Sequence, residues 1–169
     1  MKSKVKKAKK LESADSKKLI RELLDIEPTS PEEAAKWNKE EILKVLKKEK
    51  VAYVLVHFDG GGDSGSIEQV CFQGKGQNEL KISSTIDFYD IESHFSNGEY
   101  VKTFKKSQKS LRDAFESIAD EILEETGVDW YNNEGGYGDI VFNVNEGTVH
   151  CDMNQRIVQV ESSEHEYKW

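Results

Sequence analysis

Apolar and polar positions alternate along this chain with two different periods. Leu19, Ile20, Leu23 and Leu24 recur at helical spacing, which predicts a short helix over 16–26, broken by Pro28. Ser30-Pro31-Glu32-Glu33 is a helix start: Ser30 as cap, Pro31 in the first turn and Glu33 closing a capping box. A helix over 31–49 follows, with Ala35, Ile42, Val45 and Leu46 on its buried side and Trp37 anchoring its start. Val51 to Phe58 is a nearly unbroken apolar run rich in β-branched and aromatic residues, which predicts a central strand. The glycine-rich stretch Asp59-Gly60-Gly61-Gly62-Asp63-Ser64-Gly65 ends it as a flexible turn, and Ser66–Gln73 returns as the second strand. Leu80, Ile82 and Ile86 suggest a third strand. Residues 87–106 show no clean period and are expected to form an irregular insertion.

Leu111, Phe115, Ile118, Ala119, Ile122 and Leu123 form a helical stripe over 108–126, stopped at Gly127. A loop over 128–138 contains three aromatic residues. Ile140, Phe142 and Val144 then alternate with polar neighbours. After Glu146-Gly147, Val149, Cys151 and Met153 do the same, which predicts a hairpin with one buried and one polar face. Residues 156–161 are expected to add a further strand. The expectation is an α+β fold: a mainly antiparallel sheet of about five strands, with two N-terminal helices and one long central helix packed on one face. Residues 1–15, Lys-rich and poor in large apolar groups, are expected to be a basic disordered tail, and 16–169 a single domain.

Charge sharpens this picture. The chain has 169 residues with 24 Lys+Arg against 32 Asp+Glu, a net charge of -8. Six lysines in the first ten residues mask a more acidic body, and residues 120–169 alone carry 12 acidic and 2 basic groups. Such a body repels phosphate, so no direct nucleic-acid binding by it is expected. No apolar run approaches the length of a membrane span, and the basic N-terminus lacks the apolar core of a secretion signal. Cys71 and Cys151 lie in strand-like runs and read as reduced residues of a cytoplasmic protein.

Four groups of residues bear chemistry. In the glycine-rich turn, carboxylates at Asp59, Asp63 and Glu68 are candidate ligands for a divalent cation, although their spacing is not that of an EF-hand and no phosphate-loop signature follows. In the C-terminal hairpin, a two-residue turn at Glu146-Gly147 would pair Asn143 with His150, and Asp152, Asn154 and Arg156 continue the same polar row. In the loop, Trp130, Tyr131, Asn132, Asn133, Tyr137 and Asp139 combine rings and amides as recognition loops do. On the central helix, Asp113, Glu116, Asp120 and Glu124 line a solvent face. No nucleophile elbow, zinc-ligand pair or dinucleotide fingerprint is present.

Several of these motifs resemble an uncharacterised domain family of bacteria, their plasmids and phages: Thr29–Lys39, Phe58–Gly65 with Ile67-Glu68, Trp130 with Asn132-Asn133 and Gly135–Gly138, Asp152-x-Asn154-x-Arg156, and Ser163–Glu166. The resemblance spans about 29–166, with 75–106 departing from it. It implies a bacterial or phage setting, such as an accessory gene of a mobile element related to host defence, and supplies no catalytic residue.

The expectation is a non-enzymatic acidic protein that binds a protein partner, basic or nucleic-acid-handling. No cofactor is expected. The alternative is a divalent-metal-dependent hydrolase drawing on Asp59, Asp63, Glu68, Asp139, His150 and Asp152.

Overall fold

The computed structural model describes residues 27–169. The expected basic tail and the helix over 16–26 lie outside the described residues. The elements are α1 (Pro31–Lys48), β1 (Tyr53–Gly61), β2 (Ser64–Gln73), β3 (Glu79–Leu80), β4 (Thr85–Ser96), β5 (Glu99–Ser110), α2 (Leu111–Thr126), β6 (Gly136–Asn143) and β7 (Thr148–Gln155). The architecture is α+β, with a five-stranded antiparallel sheet in the order β3-β2-β1-β6-β7 and a two-stranded sheet of β4 and β5. Among the described residues no helix is long and apolar enough to cross a membrane.

The described residues divide into two compact units, 27–37 with Ile91–Phe104, and Asn38–Asp90 with Lys105–Trp169. In the first, the Ser30 hydroxyl accepts the Glu33 amide at 3.2 Å, while the Glu33 carboxylate accepts the Thr29 amide and hydroxyl at 3.0 and 2.9 Å. The cap is therefore the expected one, with the returning carboxylate one residue further out than in a standard capping box. The expected irregular insertion is instead a regular hairpin. Asn97 and Gly98 take φ of 52° and 89°, the two positive angles of a type I′ turn, which Asn-Gly adopts readily. Phe95 and Tyr100 meet edge to face across it at 5.3 Å.

The second unit holds the sheet. β1 is central because its alternate residues Val54, Val56 and Phe58 are fully buried and its β-branched and aromatic side chains suit a pleated surface. These three join Ile140, Phe72 and the apolar faces of the helices in one core. Phe115 of α2 is wedged edge-on between Phe72 at 5.9 Å and Phe142 at 4.9 Å. Ser110 caps α2 by accepting the Asp113 amide at 3.1 Å, and Gly127, at φ 65°, ends it as expected.

On α1 the buried positions are Ala34, Asn38, Ile42 and Leu46, four residues apart, so Ala34 and not Ala35 faces inward. The polar member is matched: Asn38 Nδ2 donates to the Tyr89 carbonyl at 2.8 Å, and the Tyr89 amide donates to Asn38 Oδ1 at 2.7 Å. The side chain thus serves β4 as a neighbouring strand would.

Three further expectations change. The third strand shrinks to Glu79–Leu80, which pairs with Gln73 and Phe72 of β2; Ile86 belongs to β4. Residues 156–161 form no strand. β6 begins at Gly136, so after the Arg156 amide bonds the Gly135 carbonyl at 2.9 Å no ladder partner is left. The C-terminal hairpin has a four-residue loop, Val144–Gly147, and pairs Asn143 with Thr148 and Val141 with His150. The longer loop arises because Val144 is drawn inward, its amide bonding the Ala52 carbonyl at 3.0 Å, while Asn143 Oδ1 accepts the amides of Asn145 and Glu146.

Candidate functional site

Period-two alternation divides the five-stranded sheet into a core face and an open face. On the open face, register sets Gln69, His57, Asp139 and Asp152 side by side across β2, β1, β6 and β7. The next row is Ser66, Asp59, Tyr137 and Asn154. Val141 and His150 lie one row the other way, beside Leu55.

Two contacts order this surface. His57 Nδ1 lies 3.1 Å from Asp139 Oδ1, both side chains being about half exposed. Arg156 is fixed four ways. Its guanidinium donates to both oxygens of Asp59 at 3.0 and 2.8 Å and to the Gly60 carbonyl at 2.7 Å, and it covers the Tyr137 ring at 4.9 Å, while its amide bonds Gly135. A planar fork that pairs and stacks at once is arginine chemistry. Arg156 therefore clamps the end of β7 to the end of β1.

Beside these lies an open groove of about 570 Å³ lined by His57, Asp59, Gly60, Gly61, Ser64, Gly65, Ser66 and Glu68. Between His57 and Phe58 the β1–β2 register slips by one, so Glu68 is the extra residue of a β-bulge; the Ser66 hydroxyl donates to it at 2.5 Å. Bulges re-aim side chains in this manner.

The glycine-rich stretch is not the expected flexible turn. β1 and β2 pair through Gly61 and Ser64, leaving only Gly62 and Asp63, at φ 64° and 78°, as a type I′ turn. Gly60 and Gly65 make room for Trp130, which is buried against Phe58 at 5.4 Å and Tyr131 at 5.6 Å. A Cβ at Gly60 would lie 2.7 Å from the Trp130 carbonyl oxygen, and one at Gly65 would lie 2.7 Å from Trp130 Cη2. The Trp130 ring thus lies directly against two glycines of the groove.

The expected site residues consequently separate. Asp59, Tyr137, Asp139, His150, Asp152, Asn154 and Arg156 gather on the open face, with Glu68 at its rim. Asp63 sits at the hairpin tip as a turn residue. Asn143 caps the β6–β7 loop through its side-chain oxygen. Asn132 bonds Asp129 Oδ1 through its amide and side chain, and Asn133, at φ 53°, gives its carbonyl to the Gly62 amide at 2.8 Å. Trp130 is buried, whereas Tyr131 and Tyr137 are 46% and 42% exposed. Among the described residues no three His, Cys, Asp or Glu side chains are grouped to hold a metal ion. His57 is concealed in the sequence by the apolar run Val51–Phe58. The signal that finds it is parity: it stands two residues before Asp59 and so shares its face.

Burial, and then the charge of Asp152, pushes the Cys151 thiol up. On α2, burial, and then the charge of Glu116, raises the Asp120 carboxyl. Asp90 goes the other way: burial would raise it, but hydrogen bonds from Lys109 and Ser107 outweigh this and hold it below the usual carboxylate range.

No curated protein and no solved structure matches the chain. A family model described as a family of unknown function, DUF6878, matches residues 34–167, which takes in the sheet, the loop and Arg156. By that match over most of its length, the chain belongs to DUF6878.

Proposed function

We propose that the chain is a non-enzymatic binding protein whose open sheet face takes a basic segment of a protein partner. The observation that carries this is the row His57–Asp139–Asp152 beside the groove with Glu68. Asp59 has its charge matched by Arg156, whereas no ion pair reaches Asp152 or Glu68 among the described residues. A face with ordered but uncompensated carboxylates suits Lys or Arg side chains, which would add opposite charge and charge-assisted hydrogen bonds. Tyr137 and Tyr131 supply exposed ring area at its edge.

The test is a titration of the ¹⁵N-labelled chain with a Lys/Arg-rich peptide. Shifts should concentrate on His57, Glu68, Tyr137, Asp139, His150 and Asp152, weaken with salt, and vanish for Asp139→Lys/Asp152→Lys. Shifts confined to the acidic face of α2, or no shifts, would refute the assignment.

A further inference from the structure

Among the described residues the outer edge of β7 is a long, regular strand edge left unpaired by any other strand. Among the described residues no strand pairs with it, and its eight residues, Thr148–Gln155, include no Pro, no Lys and no register break against β6. Soluble proteins blunt such an edge or cover it. Its apolar side is also unfinished. Val149, which alternates with the half-buried Cys151 and Met153 along that side, is 50% exposed.

The direction of its backbone groups is settled by its neighbours. The Arg156 amide donates to the Gly135 carbonyl, and the Asp152 carbonyl presses on Gly138, where a Cβ would collide with it. Even-numbered residues of the β7 line therefore bond β6. The odd-numbered residues Val149, Cys151, Met153 and Gln155 point their amides and carbonyls outward.

An antiparallel partner of identical sequence must set residues of the same face opposite one another, so its two-fold axis passes through a residue. An axis through Asp152 would oppose that carboxylate to itself, and one through His150 would oppose two imidazoles. An axis through Cys151 instead sets Thr148 against the partner's Asn154, Val149 against the partner's Met153, and His150 against the partner's Asp152. Polar meets polar, apolar meets apolar and base meets acid. His150 and Asp152 then fall in the closely spaced pairs that lack direct ladder bonds, where side chains approach most. This register also answers the like-charge opposition of Asp139 and Asp152 across β6 and β7, since it brings an imidazole to the other flank of Asp152.

We infer that two copies of this chain pair antiparallel along β7, about an axis at Cys151, and join their sheets into one. The inference does not depend on the proposed basic partner, since the unpaired strand edge carries it, although His150 and Asp152 along that edge also belong to the open face.

Sedimentation of the full chain at micromolar concentration tests it. The expected mass is twice 19.3 kDa, returning to a single chain for Val149→Lys with an unchanged circular dichroism spectrum. In a Cys71→Ser background, mild copper-phenanthroline oxidation should give a covalent dimer that Cys151→Ser abolishes, because opposed strand residues lie within the ~4.4–6.8 Å Cα range of a disulfide. A monomer at every concentration would overturn the inference. So would a dimer that survives Val149→Lys and yields no cross-link through Cys151.

Discussion

Substituting Gly65 by alanine adds one methyl group to the outer hairpin, and its cost can be worked from the contacts there. The new Cβ would lie 2.7 Å from Trp130 Cη2 and 2.8 Å from Tyr131 Cβ, and closer still to Trp130 Cζ3. Carbon atoms prefer about 3.5–4.0 Å, so the ring must retreat by close to 1 Å. It has nowhere to go without parting from Phe58, whose ring is 5.4 Å away and fully buried. Overpacking of this kind costs about 1–3 kcal/mol. Taken alone, replacing a strand glycine by alanine is worth roughly 0.5–1 kcal/mol in the opposite direction. The net expectation for Gly65→Ala is a loss of about 1–2 kcal/mol. With a urea slope of about 2 kcal/mol/M, this moves the unfolding midpoint down by roughly 0.5–1 M. Trp130→Leu removes the obstructing ring and should itself cost about 3 kcal/mol or more through the cavity it leaves. In that background only the approach to Tyr131 Cβ remains, so Gly65→Ala should cost clearly less than in the parent. The assay is a double-mutant cycle by urea denaturation followed by far-ultraviolet circular dichroism. Additive effects of the two substitutions would refute the claim that this glycine exists to seat Trp130.

Other outcomes follow from the same structure. Arg156→Ala should destabilise by about 1–2 kcal/mol, discounted for its partial exposure, and Arg156→Lys should recover little, since one ammonium cannot serve Asp59 and the Gly60 carbonyl from separate nitrogens and stack on Tyr137 as well; thermal unfolding of both variants checks this. Asn38→Ala strands the amide and carbonyl of Tyr89 that it now bonds, at about 1–3 kcal/mol each, and amide exchange at Tyr89 should accelerate. The Asp90 carboxyl is depressed in the folded chain, so it contributes stability above its unfolded value near pH ~3.9 that is lost as pH falls through its folded value. Asp90→Asn should accordingly be less stable than the parent at neutral pH, with the gap closing in acid, as read from urea midpoints across pH.

Local signals are legible where a single period or cap governs the outcome. The Ser30 cap, the Gly127 stop, the stripe of α2 and the polar face of β7 all follow from neighbours within a few residues. What the sequence hides depends on contacts distant along the chain. The register of β6 and β7 turns on Val144 bonding Ala52, and the role of the glycine-rich stretch turns on Trp130, far away in sequence. His57 reads as part of an apolar run because β1 is central, so its open face carries Leu55 and Tyr53 as well as polar groups. The Asn97-Gly98 turn is a local signal of a hairpin, but β4 and β5 alternate imperfectly, and period alone obscures them. Asp59 and Arg156 both carry the residue types of a binding site, but their mutual pairing makes them framework, and His57 pairs with Asp139, so that among the described residues Asp152 and Glu68 are the carboxylates of this surface that no ion pair reaches.

The seating of Trp130 makes the protein its own optical reporter. Of the three tryptophans, Trp169 is fully exposed and Trp37 half-buried, while Trp130 is 8% exposed and packs against Gly60 and Gly65 of the groove. Acrylamide should quench Trp169 first, leaving a blue-shifted emission dominated by the buried indole. A molecule entering the groove would press on backbone that touches this ring directly. Its arrival should register as a change in that emission, with no label attached and whatever the molecule's chemistry.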